Sequence, residues 1–233
     1  MTLTTLKQPP RAEVRPEELA AYDSVVTQQV SYGYTKPGPG YEKPRAVGEE
    51  AGPYFGPLLH SPLIANHLSQ LGVIYRSVGT MPGSYTHRDR EWIDIVLGRE
   101  MGFQMWGHLA DGMAVGVRPE AIIALCDNRL EDLSSEERET AEYIIAFAHG
   151  RVNTQQWGKL IERFGTRGAI EYTAFCGHLC MTIRILQAVT VARAEEMRGN
   201  SIIDDEEAIK RCREVLEGNR ELPDPLARIP SKP

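Results

Sequence analysis

The chain has 233 residues, 26 Lys and Arg against 32 Asp and Glu, a net charge of -6 and 42% hydrophobic residues. That length supports one large domain or two small ones. An acidic balance without any basic run argues against nucleic acid as a partner. The opening MTLTTLKQPPRAEVRPEEL has no apolar signal core, and no stretch is long and charge-free enough to span a bilayer. The expectation is a cytoplasmic protein without a membrane partner, whose four cysteines stay reduced.

Residues 1–45 have a composition of their own: Pro9, Pro10, Pro16, Pro37, Pro39 and Pro44 alternate with polar groups and with Tyr32, Tyr34 and Tyr41. One amphipathic helix fits Glu17 to Val30, and the Gly- and Pro-rich segment after it cannot continue it. This region reads as an arm over the domain or a neighbouring subunit, or as a free tail.

Helical signals follow one another from Val47. Ser61-Pro62 is an N-cap with proline at the first helical position, and the apolar period runs from Leu63 to Val78. Thr86 is a plausible N-cap for the next helix, which carries Glu91, Ile95 and Val96 and is expected to fray at Gly98 and Gly102. A helix spans about Gln104 to Ala114, and Arg118-Pro119 opens a short one ending near Cys126. Ser134 and Glu137 form a capping box heading a helix through His149. Thr154 to Phe164 is closed by Gly165; a long apolar helix then runs from about Arg167 to Arg198, and a charged one from Asp204 to Leu216. No alternating strand pattern persists, so the class is all-α. The expected organisation is an arm (1–45), a helical domain (46–200) and a C-terminal helix and tail (201–233).

The stretch Asp89 to Val117 carries the chemistry. Glu91 lies one helix upstream of Gln104-Met105-Trp106-Gly107-His108, in an apolar, glycine-rich setting. A carboxylate and an imidazole taken into such a setting are candidate proton-transfer groups, because burial and a partner move their pKa values toward working pH. The plainer alternative pairs Glu91 with an arginine and makes His108 a satisfied core histidine. Trp106 is either a pocket wall or core packing. His178 is either a second imidazole of the site or a bonded core residue. Cys176 and Cys180, four apart on one helical face, are poorly placed for a disulfide, and with His178 they lack metal spacing, so no metal is expected. His60, His67, His87 and His149 read as surface or capping residues. Met101, Met105, Met113 and Met181 read as core filler.

From Ala51 to Val191 the chain resembles the carboxymuconolactone decarboxylase family, within the alkylhydroperoxidase D-like superfamily. The resemblance lies in Ala51-Gly52-Pro53-Tyr54-Phe55 with Leu58-Leu59-His60-Ser61-Pro62, in Asp89-Arg90-Glu91, in His108 with Ala110 and Gly116-Val117, and in Phe164-Gly165-Thr166-Arg167-Gly168-Ala169-Ile170-Glu171. It implies a helical bundle assembling as trimers or hexamers, with a site between the central helices and no metal or organic cofactor. The implied activity is a lyase of aromatic compound catabolism that decarboxylates a small carboxylated lactone or related cyclic carbonyl compound. In that scheme protonated His108 is the proton donor or the oxyanion partner, Glu91 orients the imidazole or exchanges the proton, and Gln104, Trp106 and His178 contact substrate. Where the family pattern reads Glu-Trp-x-x-His, this chain has the neutral amide of Gln104 and a tryptophan one place later. That departure favours a changed substrate or step, or a non-catalytic binding or scaffold role. The peroxidase branch carries Cys-x-x-Cys just before its histidine, and no cysteine lies between Glu91 and His108. A thiol peroxidase would have to use Cys176 and Cys180.

Overall fold

The computed structural model describes residues 6–31, 51–78, 83–102, 108–109, 112–113 and 115–189, with Lys210 and Glu214. Among these residues there are seven α-helices and no strand, so the chain is all-α: α1 (Leu19–Ser31), α2 (Gly52–Leu58), α3 (Pro62–Val78), α4 (His87–Glu100), α5 (Pro119–Cys126), α6 (Ser135–Ala148) and α7 (Thr154–Val189). Residues 108, 109, 112 and 113 are also helical. None of these helices is long and apolar enough to cross a membrane. The proline- and tyrosine-rich segment after α1, the expected helix end beyond Val189 and the 204–216 helix lie outside the described residues, except that Lys210 and Glu214 are helical.

The described residues fall into two compact units, one up to Ile74 together with Arg184 to Val189, the other from Tyr75 to Ile183 with Lys210 and Glu214. In the first, Tyr22 and Val25 of α1 share a small core with Ala51, Leu59 and Ala65. Gln8 ties this unit together from a position with no regular structure. Its amide nitrogen donates to the Tyr22 hydroxyl (2.8 Å), and its oxygen accepts from the Ala51 backbone (2.7 Å). Arg11 clamps Asp23 with two hydrogen bonds of 2.7 Å.

The second unit is built around α4. Its start is fixed as the sequence suggests: the Thr86 hydroxyl accepts from the Asp89 backbone (3.2 Å), and the Asp89 carboxylate accepts from the Thr86 backbone (2.8 Å). Every residue from Glu91 to Gly98 is buried, which makes α4 a central helix rather than a surface one. The expected fraying at Gly98 does not occur: that residue is helical and buried within α4. The helix ends two residues later, at Glu100, and Gly102 follows with φ 65°, a left-handed conformation that suits glycine. Against α4 lies α6, whose Ser134–Glu137 capping box forms as expected. The Trp92 indole donates to the Thr140 hydroxyl across this contact at 3.1 Å. Glycine also explains α7. The two expected helices meet at Gly165 (φ 68°, ψ 170°), so α7 is two helical segments joined at a kink. Its second segment buries Ala169, Tyr172, Phe175, Cys176, Leu179 and Ile183 in the same core as Ile93, Val96 and Leu97.

The kink brings Gly168 against the turn before α4. A Cβ there would lie 2.8 Å from the Phe164 Cβ and 3.0 Å from the Gly83 carbonyl. A helical Gly→Ala change ordinarily stabilises by about 1 kcal/mol; here overpacking costs about 1–3 kcal/mol instead. Gly168→Ala is therefore expected to lower the melting temperature, and an unchanged or raised one in thermal unfolding would show that the contact yields.

Candidate active site

The α4 helix places His87, Glu91 and Asp94 at spacings of four and three, which stacks them along one face. Opposite this face stands His108. What brings it close is Gly112, one helical turn further on. A Cβ on Gly112 would lie 2.9 Å from Ile95 Cδ1, 3.3 Å from Val117 Cγ2 and 3.5 Å from Glu91 Cβ. The backbone carrying His108 thus approaches α4 as closely as glycine permits.

At that approach His108 Nδ1 lies 2.8 Å from Glu91 Oε2 and 3.0 Å from Asp94 Oδ2. Both carboxylate residues are only 3% exposed. The imidazole keeps 38% of its side-chain surface, so the site is open on the histidine side. The other Glu91 oxygen is held by His87 Nε2 (3.0 Å) and by Arg90 Nη2 (3.1 Å). Glu91 thus pairs with an arginine and with His108. His108 Nδ1 meets two buried carboxylates, Glu91 and Asp94.

These surroundings set the charges. Burial alone would pull the His108 pKa down, but Asp94 and Glu91 outweigh it and hold the imidazolium well above its ordinary value. Burial would push Glu91 up, yet His108, His87 and Arg90 together keep it well below the usual carboxylate range. Asp94 goes the other way. Burial raises it, His108 and Arg90 offset that only in part, and the Glu91 charge adds to the rise. The two carboxyls are thus pushed in opposite directions, Glu91 toward its charged form and Asp94 away from it, with His108 opposing the rise at Asp94.

The sequence singled out Glu91 and His108, and the structure brings them together. Gln104 and Trp106 lie outside the described residues. His178 is on α7, half-buried, with its ring 5.0 Å from Tyr75 and 6.5 Å from Phe175. Sequence reasoning missed Asp94, Arg90 and the inward role of His87, which is half-exposed as expected but turned onto Glu91. The readable signal was the spacing His-x-x-x-Glu-x-x-Asp along a single helix face. Among the methionines, Met113 is core as expected, whereas Met181 is 37% exposed. Cys176 is a buried free thiol. Glu91, Asp94 and His108 each present a ligand-type atom, all within 4.8 Å of one another, and are the group among the described residues that could hold a metal ion.

A separate cleft of about 170 Å³ lies beside α6 and the first segment of α7, lined by Tyr143, Asn153, Gln156, Lys159, Leu160 and Arg163. Its cations are already engaged. Lys159 pairs with Glu139 at 2.6 Å, and Arg163 with Glu136 at 2.6 Å and Asp89 at 2.9 Å. The cleft shares no residue with the Glu91 cluster. Compared with protein-family models, with curated proteins and with solved structures, the chain matches none.

The raised His108 pKa has a consequence for stability. A group whose folded pKa lies above its unfolded one contributes fully below the unfolded value, about pH 6.5, and loses that contribution as pH climbs through the folded value. The wild-type chain is therefore expected to exceed His108→Gln in urea-unfolding stability most clearly near about pH 6. The margin shrinks toward alkaline pH; a margin independent of pH would contradict the ion pairing.

Proposed function

We propose that the chain is a lyase of the carboxymuconolactone decarboxylase type, with an alkylhydroperoxidase D-like helical bundle assembling as a homo-oligomer, trimer or hexamer. It acts on a small carboxylated lactone or related cyclic carbonyl compound. The observation that carries the reading is the seat of His108 Nδ1 between Glu91 and Asp94, at 2.8 and 3.0 Å. Such a seat fixes the ring through Nδ1 and leaves Nε2 as the atom that exchanges a proton with substrate.

In this mechanism the substrate carboxylate leaves as carbon dioxide, and the carbon–carbon bonding pair moves onto the adjacent carbonyl. His108 then gives its Nε2 proton to the carbon and becomes neutral, and water restores the proton from the open side. Glu91 and Asp94 keep the imidazole charged until the transfer. His87 and Arg90 hold Glu91 ionised and in place. Asp94 supplies the second carboxyl that the family pattern carries in the cluster and that Gln104 lacks. Gln104 remains suited to donate a hydrogen bond to the developing oxyanion, with Trp106 as a wall of the pocket.

The thiol-peroxidase alternative has less support. Cys176 is fully buried, and burial pushes its thiol well above the ordinary value, which removes the thiolate that such chemistry needs.

The test is carbon dioxide release from a panel of carboxylated γ-lactones. We expect turnover on at least one member and a loss of about 10²–10⁴-fold in His108→Ala, the usual worth of a general acid or base. The double variant Cys176→Ser, Cys180→Ser is expected to keep wild-type turnover. Full activity in His108→Ala would end the proposal; loss of activity confined to the cysteine variant would transfer it to the thiols.

A further inference from the structure

Glu91, Asp94 and His108 each offer one ligand-type atom at the site, all within 4.8 Å of one another. Bonds of about 2.1 Å from one divalent ion to a nitrogen and to two oxygens, at right angles, place those donors about 3.0 Å apart along each edge. The two edges that meet at His108 Nδ1 have that length, 2.8 Å to Glu91 Oε2 and 3.0 Å to Asp94 Oδ2. Nδ1 carries at most one hydrogen, which cannot lie straight along both directions, so one buried carboxylate is always served poorly by a proton. A cation at the centre serves both. The supporting contacts are those a metal carboxylate ligand has. Glu91 binds with one oxygen, while the other is fixed by His87 Nε2 and Arg90 Nη2 at 3.0 and 3.1 Å. Three ligands leave coordination positions open, and the partly exposed His108 side gives an ion and a substrate oxygen a way in.

We propose that Glu91, Asp94 and His108 form a binding site for a divalent transition-metal ion. Two carboxylates and one imidazole suit Mn²⁺, Fe²⁺ or Zn²⁺ rather than a soft monovalent ion. The inference stands on the geometry and does not rest on the decarboxylase reading. The ion and the Nδ1 proton are alternative occupants of one position. Binding an ion expels that proton, after which His108 is no longer an imidazolium. An ion therefore switches off the proton donation proposed above, and its open positions are available to a substrate oxygen instead.

The test uses the full chain, stripped with a chelator and titrated with Mn²⁺ while free Mn²⁺ is read by electron paramagnetic resonance. Mn²⁺ is the probe because the thiols Cys126, Cys176 and Cys180 would compete for Zn²⁺. The expected result is saturable uptake of one ion per chain. Asp94→Asn and His108→Gln, each checked for wild-type circular dichroism, weaken it at least about tenfold. Glu120→Gln, at an exposed acid on α5, leaves uptake unchanged. No saturable uptake at millimolar Mn²⁺, or uptake that survives both ligand changes, overturns the site and leaves the carbon dioxide assay standing on its own. Turnover that requires Mn²⁺ rather than being inhibited by it supports the site and overturns the proton-donor mechanism.

Discussion

Two carboxylates buried on one face of one helix are the constraint to which the rest of this structure answers. Taking an ion out of water carries a penalty of roughly several kcal/mol, recovered only when partners surround it closely. Glu91 and Asp94 are both 3% exposed and three residues apart. Their neighbours read as the compensation: His108 against both, His87 and Arg90 against the outer oxygen of Glu91. Replacing His108 removes a partner from both carboxylates at once, whereas Glu91 keeps two others if His87 or Arg90 is lost. That is why a site is recognisable here from polar chemistry alone.

The constraint reaches into the packing. The compensating imidazole comes from a different helical segment, which must stand nearly in contact with α4, and Gly112 is what lets it do so. In the first turn of α4, beside Glu91, Asp89 is committed three ways: to the Thr86 backbone, to the Thr86 hydroxyl and to Arg163 on α7. A second tier of ion pairs binds the helices around α4. Arg88 and Arg163 share Glu136, and Arg118 grips Glu137 through two bonds of 2.9 and 2.6 Å. The apolar side chains of α4 supply the cohesion, and the ionic tier sets where its polar face points. A helix so held keeps the carboxylate positions fixed, which preorganised proton transfer and ion binding both need.

Much of this could be read from the sequence, for reasons that differ by residue. Thr86, Ser134, Pro62 and Pro119 mark helix starts through local hydrogen bonding and backbone restriction, and the helices begin there. Gly165 marks the break inside α7 because its conformation is local too. Glu91 and His108 were legible as polar residues in an apolar stretch. Asp94 was not, since an acid inside an otherwise apolar run looks like a solvent-facing position until the helix is known to be buried all round. The same global fact overturned the expected fraying at Gly98. His87 is partly exposed, in keeping with the surface reading, and only its spacing of four to Glu91 points to the contact its ring makes there. Gly112 gave no sign of its role, since close approach between helices is a property of the pair and not of either sequence segment.

The central claim is that His108 Nδ1 sits between two buried carboxylates and that the imidazole is charged because of them. Nitrogen-15 NMR of histidine-labelled protein at neutral pH, in the presence of a chelator, measures this directly, since the two ring nitrogens report protonation separately. The account predicts that His108 shows both nitrogens protonated at pH 7 and that Asp94→Asn and Glu91→Gln each shift its titration to lower pH. A neutral His108 ring at pH 7, with a titration that neither substitution moves, would contradict it.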